Sequence, residues 1–269
     1  MSQPRHLAVA TSLLFIAACG TEQPKTVPEN GGAVRFKTHE ISAASRACAE
    51  SEARCARVKL AFIETTGGGT EAVRDNIDLY QLHDLVSRMR SLLPEEVGNP
   101  INNPEQLAAA FLAEHRAFVE AFPDATAEWF VEITAAMITS TPLVATIDIT
   151  EFAYTGGAHP NTRRRLVSFD VESGRLIGAG DLTTDIDTLT SLAERRFRVD
   201  RGLGPDDDLE AAGFWLPEEG FRLSENLGII PEGVIFHWDA YEIAPYSMGP
   251  IDVIVPAEQL TAIVDQKYW

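Results

Sequence analysis

The side chains best suited to chemistry in this 269-residue chain gather around one polar stretch, Tyr154-Thr-Gly-Gly-Ala-His-Pro-Asn161. Asp148 and Asp170 fall on the polar faces of the strands expected on either side of it, where sheet spacing could bring them face to face. Two carboxylates held about 5 to 9.5 Å apart can hydrolyse a glycosidic bond, so this pair is the best acid–base candidate. Acids on the wet face of a sheet are common, however, and solvation is the plainer expectation for both. His159 and His237, joined by Asp239 or Glu242, have the donor types of a metal site. Nothing in their spacing fixes such a geometry, and no metal or other cofactor is expected. Tyr154, Trp238, Tyr241 and Tyr246 could line a groove for sugar or peptide, or pack beside the stretch. Tyr154, His159, Asn161, Tyr241 and Tyr246 are therefore the candidate ligand-binding residues.

Motifs of the commoner enzymes are missing from the sequence: it has no Gly-x-Ser-x-Gly, no His-Glu-x-x-His, no Walker loop and no Gly-x-Gly-x-x-Gly after a strand. No catalytic residue is assigned.

The polar stretch needs a sharp bend. Gly156 and Gly157 allow positive φ, and Pro160 biases His159 toward an extended backbone. Strands of period two should flank it. Trp129, Val131, Ile133, Ala135 and Met137 alternate with polar residues, as do Leu143, Ala145, Ile147 and Ile149, then Val167, Phe169 and Val171. Together they predict an antiparallel meander with one wet face.

Upstream, residues 33–39 and 57–63 read as two strands joined through Cys48 and Cys55. Close spacing and an oxidising compartment favour a disulfide between these two. A redox pair or metal ligands are weaker alternatives, because there is no Cys-x-x-Cys and no second cysteine pair. A helix of about 20 residues capped by Thr70 should follow. Asn103-Pro-Glu-Gln106 opens another, with His115 on its apolar stripe. Thr184-x-x-Asp187 resembles a capping box for a third helix, whose C-terminal arginines suit the helix dipole. Short strands are expected at 221–223, 227–230, 234–238 and 251–255, followed by a terminal helix from Pro256.

Residues 1–18 read as a leader: Arg5, an apolar run from Leu7 to Ala17, and Ile16-Ala-Ala-Cys19. That ending resembles the bacterial lipobox, which makes Cys19 the expected acylation site and the membrane an expected partner through a lipid anchor. Residues 19–32 suit a flexible tether, and residues 33–269 a single domain. Gly20, in place of an aspartate after the cysteine, favours the outer membrane of a bacterial envelope, with the domain facing the periplasm. Removal of the leader takes away Arg5 alone and leaves 21 basic against 40 acidic residues, a formal charge of −19. Nucleic acid is thereby disfavoured as a partner.

The hinge at 154–161, Ser168-Phe-Asp-Val-Glu-Ser-Gly174, Gly180-Asp-Leu182, Tyr241 to Gly249 and Val255-Pro256 occur in an order that resembles the PdaC/RsiV-like superfamily of bacterial envelope domains. The resemblance spans 33–269 and is densest over 143–256. It implies an α+β fold, an antiparallel sheet with helices packed on one face. It also implies a binding role, since the anti-sigma relatives bind lysozyme through this domain. The deacetylase relatives keep catalysis in a separate domain, for which this chain has no room. The leading expectation is a non-enzymatic, lipid-anchored domain that binds a lysozyme-like protein or a cell-wall ligand. A peptidoglycan hydrolase or deacetylase, or a structural lipoprotein of an envelope assembly, are the alternatives.

Overall fold

Capping chemistry sets the helices. Thr70 sits in extended backbone and its hydroxyl accepts from Val73 N at the start of α1 (Glu71–Ser91), which satisfies one of the amide groups a helix start leaves open. Asn103 does the same for Gln106 N at the start of α3 (Pro104–Ala121), with Pro104 at its first turn. A single turn, α2 (Glu95–Gly98), lies between them. The computed structural model describes residues 32–49, 54–124, 128–218, 220–264 and 266–268. The leader, Cys19 and residues 20–31 of the expected tether lie outside them. Among the described residues, no helix is long and apolar enough to cross a membrane.

The predicted α+β class holds. A five-stranded sheet runs in the order β1 (Arg35–Ala44), β2 (Ala56–Gly67), β3 (Trp129–Ser140), β4 (Val144–Tyr154) and β5 (Asn161–Asp170). Strands β3, β4 and β5 form the expected antiparallel meander. The β2–β3 pairing is parallel. Its cause is the connection: a return path through α1, α2 and α3 brings the chain back to the same end of the sheet, as parallel neighbours require. Those helices cover one face, where Val73, Ile77, Met89, Leu107 and Phe111 meet Leu60, Ile133 and Ile147 in the first core. His115 is buried there, edge-on to Trp129.

The other face is only partly wet. Its β5 end carries a second sheet, β6 (Leu227–Ile230), β7 (Gly233–Trp238) and β8 (Ile251–Pro256), antiparallel throughout. Thr146 and Ser168 have the period of solvent-facing residues, yet both are buried at this seam. Thr146 donates to Ile229 O at 2.7 Å, and Ser168 Oγ accepts from Ile229 N at 2.9 Å. The two hydroxyls satisfy a backbone that would otherwise lose water. Gly228 permits the approach, because a Cβ there would stand 3.2 Å from Thr146 Cγ2 and 3.3 Å from Leu166 Cβ. On its far side the second sheet packs against the helical turn α4 (Ala179–Leu182), α5 (Ile186–Asp200) and α6 (Ala257–Leu260) around Phe197, Phe236 and Trp238. The acidic segment after α5 contributes Leu209 and Phe214 to that core.

Local expectations shift in three places. Asp185, not Thr184, caps α5, accepting from Thr188 N. Residues 221–223 form no strand, since Phe221 is spent on the second core. The terminal helix stops at Leu260. The disulfide Cys48–Cys55 closes the link between β1 and β2.

Candidate functional site

The hinge and the Tyr241–Gly249 segment meet. Gly156 and Gly157 take φ of 102° and 107°, the left-handed side that costs glycine little, and the Tyr154 hydroxyl ties the bend by donating to Gly157 O at 2.9 Å. His159 then projects against the second segment. Its ring stacks on Tyr246 with centroids 3.7 Å apart and on Tyr241 at 6.4 Å, and the two tyrosines lie 5.6 Å apart.

Hydrogen bonds fix this corner. His159 Nδ1 donates to Pro160 O at 2.9 Å, and Tyr246 Oη donates to the same carbonyl at 3.0 Å. Nε2 of the same ring lies 3.4 Å from Tyr241 Oη. Tyr241 has φ of 74°, a region that costs a side-chain-bearing residue roughly 1 to 2 kcal/mol. Its N–H closes a turn onto Ala244 O. All three rings are exposed to solvent, so a strained backbone displays an aromatic platform. Tyr154 lies instead tilted against Phe130, ring centroids 6.0 Å apart. Asn161 opens β5 opposite Ala153, exposed and outside the platform.

Beneath the corner lies a charged seam. His237, buried, is held between two carboxylates, Nδ1 to Asp252 Oδ1 at 2.6 Å and Nε2 to Asp239 Oδ1 at 3.0 Å. Burial alone would push its pKa down, but the hydrogen bonds it donates to Asp239 and Asp252 outweigh it and raise the imidazolium to about 9. Arg164 continues the chain of charges, with its guanidinium on Asp148 at 2.7 Å and Asp252 at 2.9 Å. Desolvation would push the half-exposed Asp252 up, yet His237 and Arg164 hold it below the usual carboxylate range.

This geometry overturns the acid–base pair. In register, Asp148 stands opposite Leu166 and Asp170 opposite Val144, so four residues separate them, about 13 Å along the strand. Asp148 is engaged by Arg164. Asp170 is buried at the other end, bonded to Lys267, to Tyr268 at 3.3 Å, and to the N–H and hydroxyl of Ser173. Burial raises its pKa, but those partners more than reverse this and bring it to about 2. The histidines do not make a metal site either: His237 is spent on two ion pairs and His159 on the corner. Among the described residues, no group of three or more His, Cys, Asp or Glu is placed to hold a metal ion. Trp238 is packed edge-on against Phe221 in the second core, not in a groove. Arg164, Asn226 and Asp252 complete the seam without having stood out in the sequence. The run of three arginines at 163–165, just ahead of the alternating stretch from Val167, is the signal that could have found it.

The architecture is that of an α+β domain in which a small sheet docks across the end of a larger one. Residues 178–258 match the family model described as "Protein of unknown function (DUF3298)", a stretch holding α4, α5 and the whole second sheet and leaving the hinge outside. Among solved structures, the chain is similar to a DUF3298 family member from Bacteroides fragilis NCTC 9343, with TM-score 0.67 and 16% identity over 88% of this chain and 96% of that one. It is also similar to a DUF3298 family protein from Pseudomonas aeruginosa PAO1, with TM-score 0.60 and 18% identity over the same shares. At these identities the likeness is one of fold. No curated protein sequence matches the chain.

Proposed function

We propose that the protein is a lipid-anchored envelope protein whose domain binds a protein or cell-wall ligand at the aromatic corner without catalysing a reaction. The observation that carries this reading is the exposed platform of His159, Tyr241 and Tyr246, built from two separate loops and held by a strained tyrosine. Strained backbone conformations cluster at active sites, ligand clamps and switch regions. Stacked rings with polar edges suit sugar faces and the basic side chains of a protein. Ion pairs already engage Asp148, Asp170 and His237, which favours binding over acid–base work.

Anchoring rests on Ile16-Ala-Ala-Cys19, with Gly20 favouring the outer membrane. The resemblance to PdaC/RsiV-like domains and the formal charge of −19 point to a cationic protein such as lysozyme as the first ligand to try. Calorimetric titration with lysozyme at low salt, alongside sedimentation with purified peptidoglycan, tests the reading. Binding to one of them, weakened by His159→Ala and Tyr246→Ala, is expected. No binding to either removes the proposal, and release of peptidoglycan fragments by the protein alone would replace it with a hydrolase. Labelled palmitate should appear in the wild-type chain and not in Cys19→Ser.

A further inference from the structure

The three successive arginines of β5 are treated differently by the fold. Arg163 is paired with the buried Glu151, both carboxylate oxygens within 2.9 Å. Arg164 holds Asp148 and Asp252. Arg165 is half-buried and, among the described residues, donates only to the Tyr80 hydroxyl, from Nε at 3.3 Å. A guanidinium offers five donors in a planar fork, so the two terminal nitrogens of Arg165 are left to a partner from outside. A half-buried charge loses hydration that one neutral hydrogen bond does not restore.

Arg165 lies on the wall of a crevice of about 660 Å³ between β5, the 176–179 segment, α5 and residues 221–225. That volume falls within the range of small-molecule sites. The lining away from Arg165 is largely apolar: Leu176, Ile177, Ile186, Phe221 and Leu223. Leu176 and Ile186 are exposed large hydrophobic residues on its rim. Asp187 and Glu225 also stand at the rim, both exposed; neither forms an ion pair with Arg165.

We propose that this crevice binds a small amphipathic anion, its carboxylate or phosphate forked by Arg165 and its apolar portion laid against Ile177, Leu223 and the Leu176–Ile186 rim. Bidentate pairing with a planar or tetrahedral oxyanion is what a guanidinium with free terminal nitrogens does best. The site shares no residue with the aromatic corner, so its fate is independent of the binding reading above.

Calorimetric titration of the full chain carrying Cys19→Ser with dodecanoate, dodecyl phosphate, dodecanol and dodecyltrimethylammonium tests this, each below its micelle concentration. Saturable one-to-one binding of dodecanoate, dodecyl phosphate or both is expected, and the tighter of the two identifies the headgroup. Arg165→Gln should weaken the anions by on the order of tenfold or more and leave the alcohol unchanged. Leu176→Ser, at an exposed position, should weaken every bound probe several-fold and so keeps the test decisive if Arg165→Gln is poorly folded. Non-saturable uptake, equal affinity for dodecanol and dodecanoate, or unaltered anion binding in both variants overturns the proposal.

Discussion

Replacement of His237 by glutamine tests the charged seam most sharply. The imidazolium is 2% exposed and its two nitrogens face Asp252 and Asp239. Its pKa stands at about 9 in the fold against 6.5 without these surroundings, a difference of about 3 kcal/mol at 1.36 kcal/mol per unit. The direction follows from proton binding. Between pH 6.5 and about 9 the native state keeps a proton the unfolded chain has lost, so stability falls as pH rises through that window. Below the lower limit the whole contribution is present; above the upper one it is gone. Asp252, whose pKa is lowered, acts at the acid end instead, where its contribution is lost as pH falls, and leaves this window clear.

Urea unfolding of wild type at about pH 6 and about pH 9.5 should therefore differ by about 3 kcal/mol, with no change in the slope against denaturant. His237→Gln should lose that difference. At the lower pH it should also be destabilised, by up to about 3 kcal/mol, because it lacks the cation held between Asp239 and Asp252. A variant that keeps the wild-type dependence on pH, or a wild type whose stability is flat across the window, would refute the account of the seam.

Asp170→Asn should release the C-terminal turn held by Lys267 and Tyr268 and cost about 1 to 2 kcal/mol near neutral pH, discounted because Lys267 is exposed. Since the pKa of Asp170 is depressed to about 2 from 3.8, that contribution is present above the upper value and disappears as pH falls through the lower one, which acid titration of melting curves will read. Serine at both Cys48 and Cys55 should lower stability by about 2 to 3 kcal/mol, as expected for so short a ring, and should abolish the effect of reductant on unfolding. Tyr241→Gly removes the steric penalty at φ 74° and should raise stability by about 1 kcal/mol while weakening ligand binding at the corner. Unchanged binding would assign the strain to folding alone.

Much of the fold could be read along the chain because its signals are local. Thr70 and Asn103 cap helices where hydroxyl and amide oxygens stand three residues before a free N–H, and the meander follows from period two over β3 to β5. What escaped depends on tertiary placement. Thr146 and Ser168 have the same pattern as solvated residues, and only the arrival of β6 buries them. The parallel β2–β3 pairing joins strands separated by three helical segments, a distance over which periodicity is silent. At the site, the bend at Gly156-Gly157 was legible from glycine chemistry. Asp148 and Asp170 matched in polarity and missed in register, which a strand pattern cannot supply until pairing is known.

The aromatic corner and the seam are consequences of a single structural need. Strand β5 is the edge of the five-stranded sheet, and an edge presents unpaired N–H and C=O groups that invite association. Here side chains take the place of a sixth strand. Asn226 accepts from Leu166 N at 2.8 Å and donates to Arg164 O at 2.7 Å, and Asp239 accepts from Arg164 N at 2.9 Å. Ile177 N reaches Ser168 O further along. Asp239 can serve the edge only if β7 ends beside it, and the chain must then turn at once. Glu242 caps Asp239 N at 2.7 Å, and that turn forces Tyr241 into its strained conformation, bringing Tyr246 over His159 where β5 begins. The same contacts that close the edge against other strands thus aim the tyrosines outward, which is why the one positive-φ side-chain-bearing residue among the described residues stands where the hinge and the Tyr241–Gly249 segment meet.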